Sequence, residues 1–234
     1  MNGDGLDFNE KLVLYAYVDA DNIRSKRLID EFGFRKAGEF NVIAFSRLFP
    51  KFDSRVYELE PAHQNVMKSL LLDFYKDELL VLTEKLFERG TYFILKKKSE
   101  IVCGVQAIKD SWVIKELPGI AGKIMMKIVP RLPLLNRLFN PHYKFVFLES
   151  IYCKAGHEKE LEVMLQSVLA HSKLHAGVIC MDPKSKLYST IKSLNLGLTH
   201  KIMGENRNDV VLKTHDRSII NSIAPFYISG YDVL

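Results

Sequence analysis

Two stretches of this chain, near residues 12–48 and 176–213, run through the same local order of strand, helix and strand. In the first, Leu12 to Val18 (L-V-L-Y-A-Y-V) is apolar and rich in β-formers, as a buried strand requires. The cluster D-A-D-N then offers helix caps. Ile23 to Phe32 has helical spacing, Gly33 stops it, and Glu39 to Leu48 returns to strand. In the second stretch, Ala176 to Met181 reads as a strand, Ser185 to Leu194 as a helix and Val210 to Lys213 as a closing strand. A chain that repeats this unit is constrained to build a sheet covered by helices.

Between the two copies the pattern continues. Pro50 and K-F-D-S read as a short linker. Arg55 to Leu59 is a short strand, and Pro61 opens a helical region expected to run through Arg89 to Gly90. Thr91 to Leu95 and Ile101 to Ile108 form a hairpin across K-K-K-S-E. Phe145 to Cys153 is a strand and Glu158 to Leu174 an amphipathic helix. Strand–helix alternation with one antiparallel hairpin predicts an α/β fold, a mixed sheet with helices on both faces.

The net charge of +5 is concentrated. From Val113 to Phe147 six basic residues (Lys115, Lys123, Lys127, Arg131, Arg137, Lys144) face one acid, Glu116, so this segment alone carries the excess. A nucleic-acid binder needs a broader basic face, which argues against that class. No apolar run reaches the roughly 20 residues that span a bilayer, and the start, M-N-G-D-G-L-D, lacks the basic and apolar regions of a secretory signal. Cys103, Cys153 and Cys180 cannot all pair and have no metal-site spacing. Reduced thiols in a cytoplasmic protein are the simplest reading.

The stretch Asn22 to Gly38, N-I-R-S-K-R-L-I-D-E-F-G-F-R-K-A-G, resembles the closing half of a GNAT-superfamily (N-acetyltransferase) domain. Asn22, Ser25, Leu28, Gly33, Phe34 and Gly38 fall on that pattern, with Ile29 where the family often has the tyrosine that acts as general acid. On this resemblance residues 1–50 are the C-terminal portion of a GNAT-like module, a partial copy whose front would precede it. Residues 53–215 are a complete GNAT-like module with a basic, apolar insertion at 113–143, and 216–234 form a tail. The resemblance implies an acyl-CoA-dependent N-acyltransferase that uses acetyl-CoA or another acyl-CoA, needs no metal, and acylates a small-molecule or peptide amine. Its pyrophosphate loop corresponds to Cys153, Lys154, Ala155, Gly156 and His157, followed by Glu158. Asn22 and Ser25 are the equivalent cofactor-binding positions of the first unit. In D-P-K-S-K-L-Y, Tyr188 would be the general acid that protonates the leaving thiolate, and Glu149 the base.

Each residue also has a plainer reading. Tyr188 lies beside Leu187 and Ile191 and could be core or rim. Glu149 in F-V-F-L-E-S-I-Y is either a buried base or a strand residue facing solvent. Cys153 fits a structural thiol, His157 a solvated residue near a helix start, and Trp112 a core residue. The basic segment suits a substrate lid, a helix attracted to anionic lipid or a simple packing element. The alternative to an enzyme is a non-catalytic, degenerate GNAT module that scaffolds or binds a partner.

Overall fold

The computed structural model describes residues 12–81, 86–116, 119–214 and 216–233. Among these, eight strands form one sheet. They are β1 (Leu14–Asp19), β2 (Arg35–Ser46), β3 (Val56–Glu58), β4 (Thr91–Lys97), β5 (Glu100–Val113), β6 (His142–Cys153), β7 (Ala176–Met181) and β8 (Glu205–Lys213). Their order in space is β1-β8-β2-β7-β6-β5-β4-β3. The helices are α1 (Ile23–Glu31), α2 (Gln64–Phe74), α3 (Gly119–Lys127), α4 (Glu158–Ser172), α5 (Lys186–Ser193), α6 (Leu198–Met203), α7 (Arg217–Ile220) and α8 (Gly230–Val233).

The α/β class and the mixed sheet with helices on both faces agree with the sequence. The partial second copy is not evident. Instead, β2 lies between β7 and β8, pairing Asn41–Ser46 with Ala176–Met181 on one side and Arg35–Ile43 with Glu205–Leu212 on the other. β1 then pairs with β8 at the sheet edge. Residues 14–46 thus complete the sheet of the rest, satisfying edge hydrogen bonds that would otherwise stand open.

Local chemistry explains the elements. Asn22 caps α1 by accepting from the Ser25 N–H at 3.0 Å, and Gly33 (φ +79°) ends it in a left-handed turn. The helix expected from Pro61 to Arg89 stops at Phe74. Beyond it, the Leu79 N–H donates to Pro225 O at 2.8 Å and Leu79 O accepts from the Tyr227 N–H at 2.9 Å. These non-local, strand-like bonds use the groups a continuing helix would need. Residues 82–85 of that expected helix lie outside the described residues.

The core divides across the sheet. On one face Leu161, Leu165 and Val168 of α4 and Leu187 and Ile191 of α5 pack on Ile43, Phe45, Val146, Leu148 and Ile179. On the other, Phe40, Phe145, Phe147, Val178 and Cys180 meet the tail residues Phe226 and Ile228. Nearby, Met67 and Leu71 of α2 and Tyr75 beyond its end pack with Tyr227. Trp112, expected in the core, is 36% exposed at the end of β5, with its ring 4.5 Å from Phe145.

Candidate active site

All neighbouring strands run antiparallel except β6 and β7, which are parallel and joined through α4. Their pairing is brief. Only Val146↔Gly177 and Phe147↔Val178 are in register, and beyond them the strands part. A β-bulge accompanies the parting. Gly104 pairs with Tyr152 and Gln106 with Glu149, so Ser150 and Ile151 of β6 face the single residue Val105. Ser150 has φ +48°. Such a bulge bends its strand, here just past the last contact with β7. The result is a crevice at the carboxyl ends of two parallel strands, with the starts of α4 and α5 beside it, a usual place for ligands in α/β sheets.

Glu149, Ser150 and Ile151 line this crevice from β6, and Ile179, Cys180 and Met181 from β7. The tail fills most of it, leaving about 20 Å³, comparable with one water. The Phe226 N–H donates to Asp182 Oδ2 at 3.0 Å, the Tyr227 hydroxyl lies 2.6 Å from Ser150 Oγ, and the Gly230 N–H donates to Glu149 Oε2. Two glycines make this seating possible. A Cβ at Gly38 would overlap the Phe226 ring, and one at Gly230 would lie 2.7 Å from both Glu149 Oε2 and the Phe147 ring.

Burial pushes the Glu149 carboxyl upward, opposed by the Gly230 N–H. Asp182 is also raised by burial. Glu78 reaches about 7, again because of burial, although Ser185 Oγ donates to it at 2.7 Å. Two carboxyls, Glu78 and Glu149, therefore line one crevice, and Asp182 holds the tail beside it. Glu78 and Asp182 were not among the expected site residues: Glu78 fell inside the over-long helix, and Asp182 entered only as the first residue of D-P-K-S-K-L-Y, in place of the family's Asn.

The raised Glu78 gives a stability prediction. A carboxyl whose folded pKa lies above its unfolded value of about 4.3 stabilises the fold most at low pH, and that contribution is lost as pH rises through about 7. Glu78→Gln is expected to leave stability near pH 4 almost unchanged and to raise it at pH 8 by on the order of 1–2 kcal/mol, the discount allowing for partial exposure. Urea denaturation at both pH values checks this; equal effects at the two would show that Glu78 titrates normally.

The structure separates the other expected site residues. Tyr188, in the first turn of α5, packs against the α4 face of the sheet. Glu149 shares the opposite face with Phe147 and Gly230. The Tyr188 hydroxyl accepts from Asn41 Nδ2 at 2.9 Å and donates to Glu205 Oε2 at 2.7 Å, so it points over β2 and β8, away from the crevice. Burial and the bond to Glu205 raise its pKa and keep it protonated. Lys192 also binds Glu205. Asn22 and Ser25 stand at the start of α1, beside the end of β1. Following the antiparallel pairings from β7 through β2 and β8, β1 runs opposite to β6. The start of α1 is therefore at the other end of the sheet from the loop after β6.

That loop is Cys153–His157. Cys153 is buried and directly opposite Cys103, whose Sγ lies 3.7 Å from His157 O. Lys154 donates its N–H to Val102 O at 2.9 Å and pairs its ammonium with Glu100. Gly156 has φ +82°, and its N–H donates to Glu158 Oε1 at 3.0 Å. His157 precedes α4 without capping it through its side chain. The Glu158 carboxylate thus occupies the helix N-terminus where an anion would sit. Its bonds to the N–H groups of Glu158 and Gly156 hold its pKa down. Among the described residues no group of three or more His, Cys, Asp or Glu is placed to hold a metal ion.

An open α/β sheet with a crevice between parting parallel strands, lined by a half-buried carboxyl, defines the class of this molecule. No protein-family description and no curated protein matches its sequence. Among solved structures it is similar to a GCN5-related N-acetyltransferase from Sphaerobacter thermophilus (TM-score 0.46, 11% identity, covering 90% of this chain and 61% of that one). It is also similar to a GCN5-related N-acetyltransferase from Kribbella flavida (TM-score 0.46, 10% identity, 87% and 69% covered). A third similarity is to Saccharomyces cerevisiae N-myristoyltransferase with bound myristoyl-CoA (TM-score 0.47, 8% identity, 86% and 63% covered). The chain spans about three fifths of the length of the Sphaerobacter protein.

Proposed function

We propose that the chain is an acyl-CoA-dependent N-acyltransferase of the GNAT type, with its chemistry in the crevice between β6 and β7. One observation carries this reading: the parallel strands part where the bulge at Ser150 begins, and the carboxyl of Glu149 lies in the gap. The pattern from Asn22 to Gly38 and the loop Cys153–His157 support it from the sequence.

In this reading the acceptor nitrogen attacks the thioester carbonyl and loses its proton to Glu149, whose burial raises its pKa and makes it a stronger base than a solvated carboxylate. Glu149 Oε2 already accepts from the Gly230 N–H. The amine must therefore use Oε1 or displace the tail. The leaving thiolate takes its proton from water, because the Tyr188 hydroxyl is bound to Asn41 and Glu205 on the other face of the sheet. Lys154 and the Gly156 N–H would face the CoA phosphates after Glu158 yields its place. The acceptor is a small-molecule or peptide amine, and acetyl-CoA is the first donor to test.

Titration calorimetry with acetyl-CoA tests the reading. Glu158→Gln removes the competing charge and is expected to tighten acetyl-CoA about two- to fivefold, the effect of one exposed charge near a helix N-terminus. A second reading, a non-catalytic module, is favoured by the bond from Gly156 to Glu158. Absence of heat with both the native protein and the Glu158→Gln variant would decide for it.

A further inference from the structure

The segment between β5 and β6 carries a separate feature. From residue 117 to residue 148 the sequence contains no aspartate or glutamate. Within it, α3 and the turns that follow are anchored to the body along one side: Gly122 is buried, Met126 and Val129 pack against the core, and Leu138 and Phe139 are buried at the far end. The positions 122, 126 and 129 form one helical row.

The outward side is different. Ile124 (49% exposed) and Ile128 (50%) stand one turn apart, continued helically by the bond from the Ile128 N–H to Ile124 O at 2.8 Å. Leu132 (43%) and Leu134 (51%) are exposed in the turns that follow. Lys123 and Lys127 flank the isoleucines one position earlier, and both are exposed. Arg131 is exposed, and the Arg137 guanidinium lies 5.3 Å over the ring of Phe49, itself 61% exposed. Among the described residues none of Lys123, Lys127, Arg131 or Arg137 forms an ion pair.

We propose that the outward face of residues 119–137 docks on the surface of an anionic lipid bilayer, with Ile124, Ile128, Leu132 and Leu134 entering the headgroup boundary and Lys123, Lys127, Arg131 and Arg137 meeting lipid phosphates. Charge complementarity selects this partner. Four exposed aliphatic side chains in one short segment are unfavourable in water. An uninterrupted cationic border suits a negative surface that attracts each basic residue by about a fivefold gain in binding. No helix among the described residues is long and apolar enough to cross a membrane, so the contact is with the surface. The segment adjoins β6, the strand that lines the crevice, but the proposal does not depend on the acyltransferase reading.

Cosedimentation of the full chain with vesicles tests it. The protein is expected to sediment with phosphatidylcholine vesicles containing phosphatidylserine, to release at high salt, and to ignore pure phosphatidylcholine. K123E/K127E is expected to weaken binding by more than tenfold, and I128E/L132E to abolish it. The exposed-lysine control K98E/K201E should bind as the native chain does, and unchanged thermal melting should show that all these variants fold. No binding at low salt, or equal binding by K123E/K127E and the native chain, overturns the proposal. So does binding to an acidic protein in place of the vesicles.

Discussion

Phe226→Ala is expected to destabilise the protein by about 3–5 kcal/mol, the usual cost of emptying a buried phenylalanine site. Phe226 is 1% exposed, and its ring fills the space left by the missing Cβ of Gly38. The neighbouring Asp182 and Leu79 hold its backbone on both sides. For a domain of this size the loss corresponds to a fall in Tm of roughly 10 °C. The effect should extend along the tail, because the hydroxyl of Tyr227 and the N–H of Gly230 reach Ser150 and Glu149 only while Phe226 is seated. Amide hydrogen exchange should accelerate at Tyr227 and Gly230 before it does so in β7. A loss below about 1 kcal/mol would mean that the tail is not part of the cooperative core.

Glu149→Gln is expected to lower kcat for acyl transfer by about 10²–10⁴, the usual contribution of a positioned general base. The amide keeps an oxygen able to accept from Gly230, so the tail and the melting temperature should change little. Because the residue would act on the acceptor and not on the CoA phosphates, acyl-CoA affinity should stay within twofold of native. The pH–rate profile should also lose its acidic limb, which a merely structural role would not remove. A fall of less than tenfold, or an unchanged profile, would assign the proton to another group, and Glu78, whose pKa is about 7, is then the next to replace.

These expectations rest unequally on sequence and structure. The strands β1, β4, β6 and β7 and the helices α1, α4 and α5 were legible because their apolar spacing and caps are local signals. Asn22 and Gly33 mark both ends of α1. Ser185, which caps α5 with its side chain, does the same for the second unit. The end of α2 was not legible, because Leu79 takes its hydrogen bonds from residues some 150 positions later in the chain. α6 was missed for a related reason: its six residues are too short to show helical periodicity.

The candidate site divides in the same way. Sequence placed Glu149 on an apolar strand and Gly156 in the following loop. It could not show that Glu158 bonds back to Gly156 or that Tyr188 turns toward Asn41 and Glu205. Both facts depend on side-chain direction and on partners brought together by the sheet.

By itself, the sequence determined the α/β class, the repeated strand–helix–strand order and the concentration of positive charge before β6. Those properties follow from local periodicity and composition. Tertiary structure alone decided that residues 12–46 enter the same sheet as the rest, that β6 bends away from β7 at Ser150, and that the tail occupies the gap. Strand order and crevice contents are set by long-range pairing, where each hydrogen bond or buried ring is chosen among distant segments with similar local preference.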